Sequence, residues 1–328
     1  MSLSHNLTAS PSGRLVCADL VECLAHLEVV DNTATAPVIL HAPHGGTLVP
    51  DEQRAAFTIG DAELAAEISA LTDHATDAMI RPVPGASLVM NRLSRFVVDP
   101  ERFPDGREEM LAVGMGAFYT HGTRRQLIRP DVSDSALPAF HQHYSTVVEQ
   151  LTTRALERHD WALILDVHSY PETALPYELH AEEHRPELCI GYEPFHAREG
   201  LLAVVRDAFV GWEVGENEPF HGAYVPLAYY GTDRRGGPGG AGKRRATPPP
   251  ARGRGAQMGG GGGETGPSPG AYAPLAYSGT DGGVRWVMLE IRRDTYLTAD
   301  GSPDAARVAD LTGRIARVVG AVTADGPQ

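Results

Sequence analysis

Short, almost continuous apolar runs alternate along this chain with longer stretches of helical periodicity. Pro37–His41 (PVILH), Ser87–Met90 (SLVM), Trp161–His168 (WALILDVH), Leu188–Tyr192 (LCIGY) and Val284–Ile291 (VRWVMLEI) contain few polar positions and predict strands covered on both faces. Asp61–Ile80, Leu137–Arg158, Arg198–Val210 and Pro303–Val322 predict helices, with Asp61 and Ser302 as N-caps. Strands that alternate with helices predict an α/β fold, a mixed or mainly parallel sheet sandwiched between helices. In such sheets ligands sit beyond the carboxyl ends of the strands, so residues there have first claim on chemistry.

One stretch breaks the alternation. Arg234–Gly270 holds 14 of the 36 glycines, six prolines, and seven Lys or Arg against a single acid, Glu264. Such composition offers too little apolar area to offset the entropy of ordering it, which predicts a disordered insert. Its flanks repeat each other: GAYVPLAYYGTD (Gly222–Asp233) returns as GAYAPLAYSGTD (Gly270–Asp281), identical at 10 of 12 positions with an offset of 48. Two copies are too few for a solenoid. The expected organisation is one domain over residues 1–328 with a low-complexity insert, including one duplicated flank, at 234–281. The first copy is the better candidate to line a site, because it follows VGENEPFH without interruption.

The composition of the 328 residues, 42% apolar and 21% charged, is ordinary for a globular protein and sufficient for one large core. A formal charge of −14 argues against nucleic acid as a partner, since counterion release needs a basic surface. No apolar run approaches the roughly 18 residues of a membrane span, and the first 20 residues lack a basic start followed by an apolar core. A soluble, cytoplasmic protein is expected. Cys17, Cys23 and Cys189 form no CxxC pair, so neither a disulfide framework nor a zinc knuckle is supported.

Three predicted strand ends carry chemistry: HAPHGG (His41–Gly46), DVHS (Asp166–Ser169) and LEIRRD (Leu289–Asp294). His44 and His168 offer imidazole nitrogens suited to Zn²⁺, and a catalytic zinc takes three protein ligands plus water. The third ligand is sought in TDHATD, where Asp73 and Asp77 stand at i and i+4 of the predicted helix. Asp73 is preferred, with Asp77 and His41 as alternatives. His41 reads equally as a hydrogen-bonded core residue, and His74 reads either as a site residue or as the neighbour of carboxylates, Asp73 and Asp77, that cap or pair on a solvated face. Asp166, two residues before His168, either orients an imidazole or satisfies backbone donors. His121, His141, His143, His180 and His184 are read as surface groups. Arg92, Arg95 and Arg102 suit carboxylates, whose two oxygens match two parallel guanidinium donors. One of them facing the cleft implies an anionic substrate; the alternative is surface pairing with Asp99, Glu101 and Asp105, the preferred reading for Arg92.

With HAPHGG, TDHATD, SRFVVDPERF, DVHSYP, PFHGAYVP and VMLEIRRDTYL in this order, the chain resembles the N-formylglutamate amidohydrolase family from Pro37 to Leu297, apart from the insert. Each motif is weak alone; six in sequence are specific. The resemblance implies a three-layer α/β/α sandwich like that of zinc carboxypeptidases and aspartoacylase-like deacylases. It further implies one zinc ion on His44, His168 and an acidic residue, with Glu290 as general base and Arg102 with Arg95 as a clamp on the substrate carboxylate. The implied reaction is hydrolysis of an N-formyl or small N-acyl amide of an acidic amino acid such as N-formyl-L-glutamate. Phe220, His221, Gly222 and Tyr224 are expected to form either a lid over the pocket or a turn packed with aromatics. Rival readings are a zinc exopeptidase, a deacylase for another anionic substrate, or an inactive metal-binding module. Two departures stand out: Gly45 replaces the serine of a Pro-His-Ser-Gly pattern, and Thr47 occupies the position of the acid in a carboxypeptidase HxxE pair.

Overall fold

A computed structural model of the chain describes residues 20, 23–130, 136–178, 181, 183–221, 226, 229 and 283–326. The low-complexity insert, its duplicated flank, Gly222 and Tyr224 lie outside these residues. Seven strands form one sheet: β1 (Leu27–Val30), β2 (Val38–Ala42), β3 (Ser87–Asn91), β4 (Ala162–Tyr170), β5 (Leu188–Gly191), β6 (Val214–Glu216) and β7 (Val284–Arg292). Their order is β1-β3-β2-β4-β7-β5-β6. Strands β3, β2, β4 and β7 run parallel to one another, as β5 and β6 do to each other, while β1 pairs antiparallel with β3 and β5 antiparallel with β7. This is the expected mixed, mostly parallel sheet. The longest pairing joins β4 to β7 over nine residues and sets His168 opposite Glu290.

The six described α-helices are α1 (Asp51–Arg54), α2 (Asp61–Leu71), α3 (Thr76–Ile80), α4 (Leu137–His159), α5 (Glu199–Ala208) and α6 (Ala305–Asp325). Successive strand residues point to opposite faces, which explains why the central strands tolerate no polar alternation. Val38 and Leu40 join Leu163, Leu165 and Val287 in a core with Met79 of α3, Leu201 of α5 and Ile315 of α6. Ile39, Ile164 and Trp286 pack on the other face against Phe140, Tyr144 and Leu151 of α4. Three layers result, with both faces of the sheet buried.

All five predicted strands form, shifted at their ends by one or two residues. The three-residue β6 and four-residue β1, at the two edges, are too short and too exposed to show a pattern. The predicted helix Asp61–Ile80 is broken into α2 and α3, because Ala75 adopts a left-handed conformation at φ 61°. Asp61 is not the cap but the first residue of α2, after Gly60; at α6 the cap is Asp304, whose carboxylate accepts from the Ala306 and Arg307 amides, not Ser302. Among the described residues no helix is long and apolar enough to cross a membrane.

Candidate active site

Three segments meet at the carboxyl ends of β2, β4 and β7. The loop after β2 carries His44, and glycines let it lie close against its neighbours. A Cβ on Gly46 would stand 2.3 Å from the carbonyl carbon of Arg92, and one on Gly45 2.8 Å from the hydroxyl of Thr76. A side chain at Gly45 would therefore require Thr76 to give way. The break between α2 and α3 carries Asp73: its amide donates to the His44 carbonyl at 3.0 Å, and Thr76 Oγ1 donates to the Asp73 carbonyl at 3.0 Å. Because the helix stops there, Asp73 and Asp77 do not share a helical face. Asp73 is buried in the cleft, whereas Asp77 is part-exposed and 3.9 Å from Arg81, outside the cleft lining.

His44, Asp73 and His168 converge. The separations are 3.2 Å between His44 Nδ1 and His168 Nδ1, 3.0 Å from His168 Nδ1 to Asp73 Oδ2, and 3.6 Å from His44 Nδ1 to Asp73 Oδ2. Tetrahedral ligands about 2.0–2.1 Å from zinc are spaced ~3.3 Å apart, so this triangle has the size of a divalent-cation site. All three residues are buried. Each imidazole turns its other nitrogen to a carboxylate: His44 Nε2 lies 2.9 Å from Asp99 Oδ1, and His168 Nε2 3.0 Å from Asp166 Oδ1. The first is a hydrogen bond, which fixes the ring and raises the basicity of the nitrogen facing the ligand; the second is a charge contact without hydrogen-bond geometry.

The electrostatics of the set favour positive charge. Burial and Arg95 push the His44 pKa down, but Asp99, Glu101 and Asp73 outweigh them and raise it. For His168, burial is likewise overcome by Asp166, Glu101 and Asp73, leaving it well above the ordinary histidine value. Asp73 is held far below the carboxylate range against its burial by hydrogen bonds from both imidazoles. A cation at this point meets the same demand as those protons, so the donors present fit a metal ion.

Glu290 faces this triad from β7. It is 9% exposed, and its Oε2 accepts no hydrogen bond. Burial, with a contribution from Asp73 and against the pull of His168, raises its pKa to about 7. Arg95 donates through Nε and Nη2 to Asp99 Oδ2 at 3.2 and 2.8 Å, and Tyr119 Oη donates to the same oxygen at 2.7 Å. Arg102, 7% exposed, lies 3.3 Å from Glu108 and 3.8 Å from Asp99. Both arginines line the cleft with Tyr177, Phe220 and His221. Their pairing with Asp99 is therefore a buried one, not the surface pairing that the sequence left open. Arg92 is exposed and 3.7 Å from Glu28.

His41 is a supporting residue: its Nδ1 lies 2.9 Å from Asp166 Oδ1 and its Nε2 is hydrogen-bonded to Tyr144. His74 bonds the Ser69 carbonyl, away from the triad. His141 is buried rather than superficial, its Nε2 donating to the Arg102 carbonyl at 2.9 Å. Two contributors had no site role in the sequence reading. Glu101, read there as a surface partner of arginines, lies among three imidazoles, and Arg293 reaches Asp73 Oδ1 at 3.5 Å while donating to the Ala70 carbonyl at 2.7 Å. The signal for Arg293 was present, three residues beyond Glu290 in LEIRRD.

Fold and site together define a mixed-sheet α/β protein with a buried, metal-competent imidazole–carboxylate centre at its strand ends. The chain is similar in fold to the crystal structure of N-formylglutamate amidohydrolase from Ralstonia eutropha JMP134, with a TM-score of 0.62 and 16% identity over 92% of this chain and 100% of that one. A gene product of Agrobacterium tumefaciens gives 0.52 and 15%, covering 92% and 95%. No curated protein sequence matches. The family model for N-formylglutamate amidohydrolase matches residues 36–237, well over half of the chain, and the chain belongs to that family of hydrolases. The matched span includes His44, Asp73, Arg95, Arg102 and His168; Glu290 follows it.

Proposed function

We propose that this protein hydrolyses the amide bond of an N-formyl or small N-acyl acidic amino acid, with a divalent cation, zinc by the chemistry of its donors, held by His44, Asp73 and His168. The observation that carries the reading is the 3.0–3.6 Å triangle of donor atoms beside Glu290, whose Oε2 accepts no hydrogen bond. When bound, such an ion supplies Lewis acidity, polarising the amide carbonyl and acidifying water.

The remaining work falls to the chain. Asp99 holds the His44 imidazole with Nδ1 toward the triad, Asp166 sets its charge beside His168, and Arg293 steadies Asp73. Glu290 takes a proton from the attacking water and returns it to the departing amine as the C–N bond breaks. A pKa near 7 suits a group that must be base and then acid at neutral pH. Arg102, assisted by Arg95, binds the substrate carboxylate. The products are formate, or another small acid, and the free amino acid.

The test is formate release from N-formyl-L-glutamate by metal-loaded protein, alongside formylated and acetylated neutral amino acids. Turnover confined to acidic substrates supports the reading. Turnover of neutral substrates alone removes the arginine clamp, and bound metal without any turnover refutes the enzyme.

A further inference from the structure

Behind the first triad lies a second group with the donors of a metal site. His41 Nδ1 and Asp166 Oδ1 are 2.9 Å apart, Glu101 Oε1 is 3.6 Å from His41 Nδ1, and one donor atom from each residue falls within 4.8 Å of the others. His41 and Asp166 are buried, and the Glu101 side chain is 11% exposed on the cleft wall. Two oxygens here accept no hydrogen bond, Asp166 Oδ2 and Glu101 Oε1. Asp166 is 1% exposed, so water does not compensate it from bulk. A buried acceptor without a donor is costly, the more so when charged, and points to a partner that meets it.

Imidazole holding alone does not account for this arrangement. Asp166 Oδ1 stands 3.0 Å from His168 Nε2, yet that buried nitrogen makes no hydrogen bond. Glu101 adds a second negative charge 3.4 Å from the same nitrogen and leaves an oxygen unused. We infer that His41, Glu101 and Asp166 form a second divalent-cation site, reached from the cleft past Glu101. One imidazole and two carboxylates suit Zn²⁺, Mn²⁺ or Co²⁺. Occupancy requires a bare His41 Nδ1 and a proton on Nε2, a tautomer in which Nε2–H donates to the Tyr144 oxygen, its neighbour in the structure. The two sites share His168: its Nδ1 faces the first triad, and its Nε2 faces Asp166 and Glu101. A cation in the second site therefore draws on the carboxylates that set the basicity of a first-site donor. The inference stands whether or not the first triad binds metal.

The experiment is equilibrium dialysis of the full chain against excess zinc chloride, with zinc counted by mass spectrometry in wild type, Glu101→Gln and His44→Ala. Expected are two equivalents in wild type and one in each variant. Two equivalents retained in Glu101→Gln, or one in wild type that this variant keeps and His44→Ala loses, overturns the second site while leaving the first. One equivalent lost by Glu101→Gln but kept by His44→Ala upholds the second site and overturns the first. Should Glu101→Gln misfold or lose both ions, anomalous diffraction at the zinc edge from wild-type crystals decides: a peak bonded to His41, Glu101 and Asp166 upholds the inference, and its absence there overturns it.

Discussion

Replacing Glu290 by Gln separates the chemistry of this site from its stability, with effects of opposite sign. The substitution keeps shape and removes the base. Loss of a general acid–base group costs typically 10²- to 10⁴-fold in turnover, or about 3–5 kcal/mol of barrier. The carboxylate is also a burden on the fold: its pKa rises from 4.5 to about 7 on burial. A raised carboxyl pKa means that the folded chain holds a proton which the unfolded chain releases between pH 4.5 and 7. The penalty is absent below pH 4.5, grows across that window and is complete above pH 7. At 1.36 kcal/mol per unit it reaches about 3 kcal/mol in metal-free protein. Glu290→Gln should thus be slower by at least 100-fold under saturating zinc. Without metal, it should be more stable than wild type in urea by about 2–3 kcal/mol at pH 8, with no gain at pH 4. Turnover within threefold of wild type removes Glu290 from the reaction, and equal stability at pH 8 refutes the electrostatic argument.

Chelation of the purified protein should abolish formate release and zinc should restore it; activity that survives exhaustive chelation removes the ion from the mechanism. Gly46→Ala places a Cβ 2.3 Å from a backbone carbon and 2.4 Å from the Arg92 oxygen, so stability should fall by about 3 kcal/mol and metal affinity with it. An unchanged melting temperature contradicts the packing. His196, buried against Trp286 and donating to the Val284 carbonyl, has its pKa lowered from 6.5 to about 4 by burial. The unfolded chain binds the extra proton first, so as pH falls from 6.5 to 4 about 3 kcal/mol of stability should be lost, and His196→Gln should flatten that slope in urea titrations. Deleting Arg234–Asp281 should leave a soluble protein with one cooperative transition; aggregation of the shortened chain assigns the second repeat copy a structural part.

The central strands and the two histidines were legible because burial on both faces leaves an unbroken apolar signature that ends abruptly at a polar group. Asp73 was legible as a candidate, but its position was not. Residues 72–75, TDHA, contain neither Gly nor Pro, so no local signal announced that Ala75 would turn left-handed and free Asp73 from the helix. Asp99 and Glu101 were read as surface partners of arginines, because charged residues in a loop ordinarily face water. Here the loop folds inward, and the charges serve imidazoles contributed from far along the chain. His141 was misjudged for the same reason: its partner is a backbone carbonyl that no residue pattern reveals.

β5 and β6 join the sheet only through β7, and β7 also covers the long edge of β4. Everything bearing the first triad is synthesised before β7, yet until β7 emerges β4 presents nine residues of bare backbone on one side. A nascent chain at that stage is open to pairing with any stray strand. The late arrival of one strand thus leaves that edge of β4 without its partner while residues 171–283 are translated.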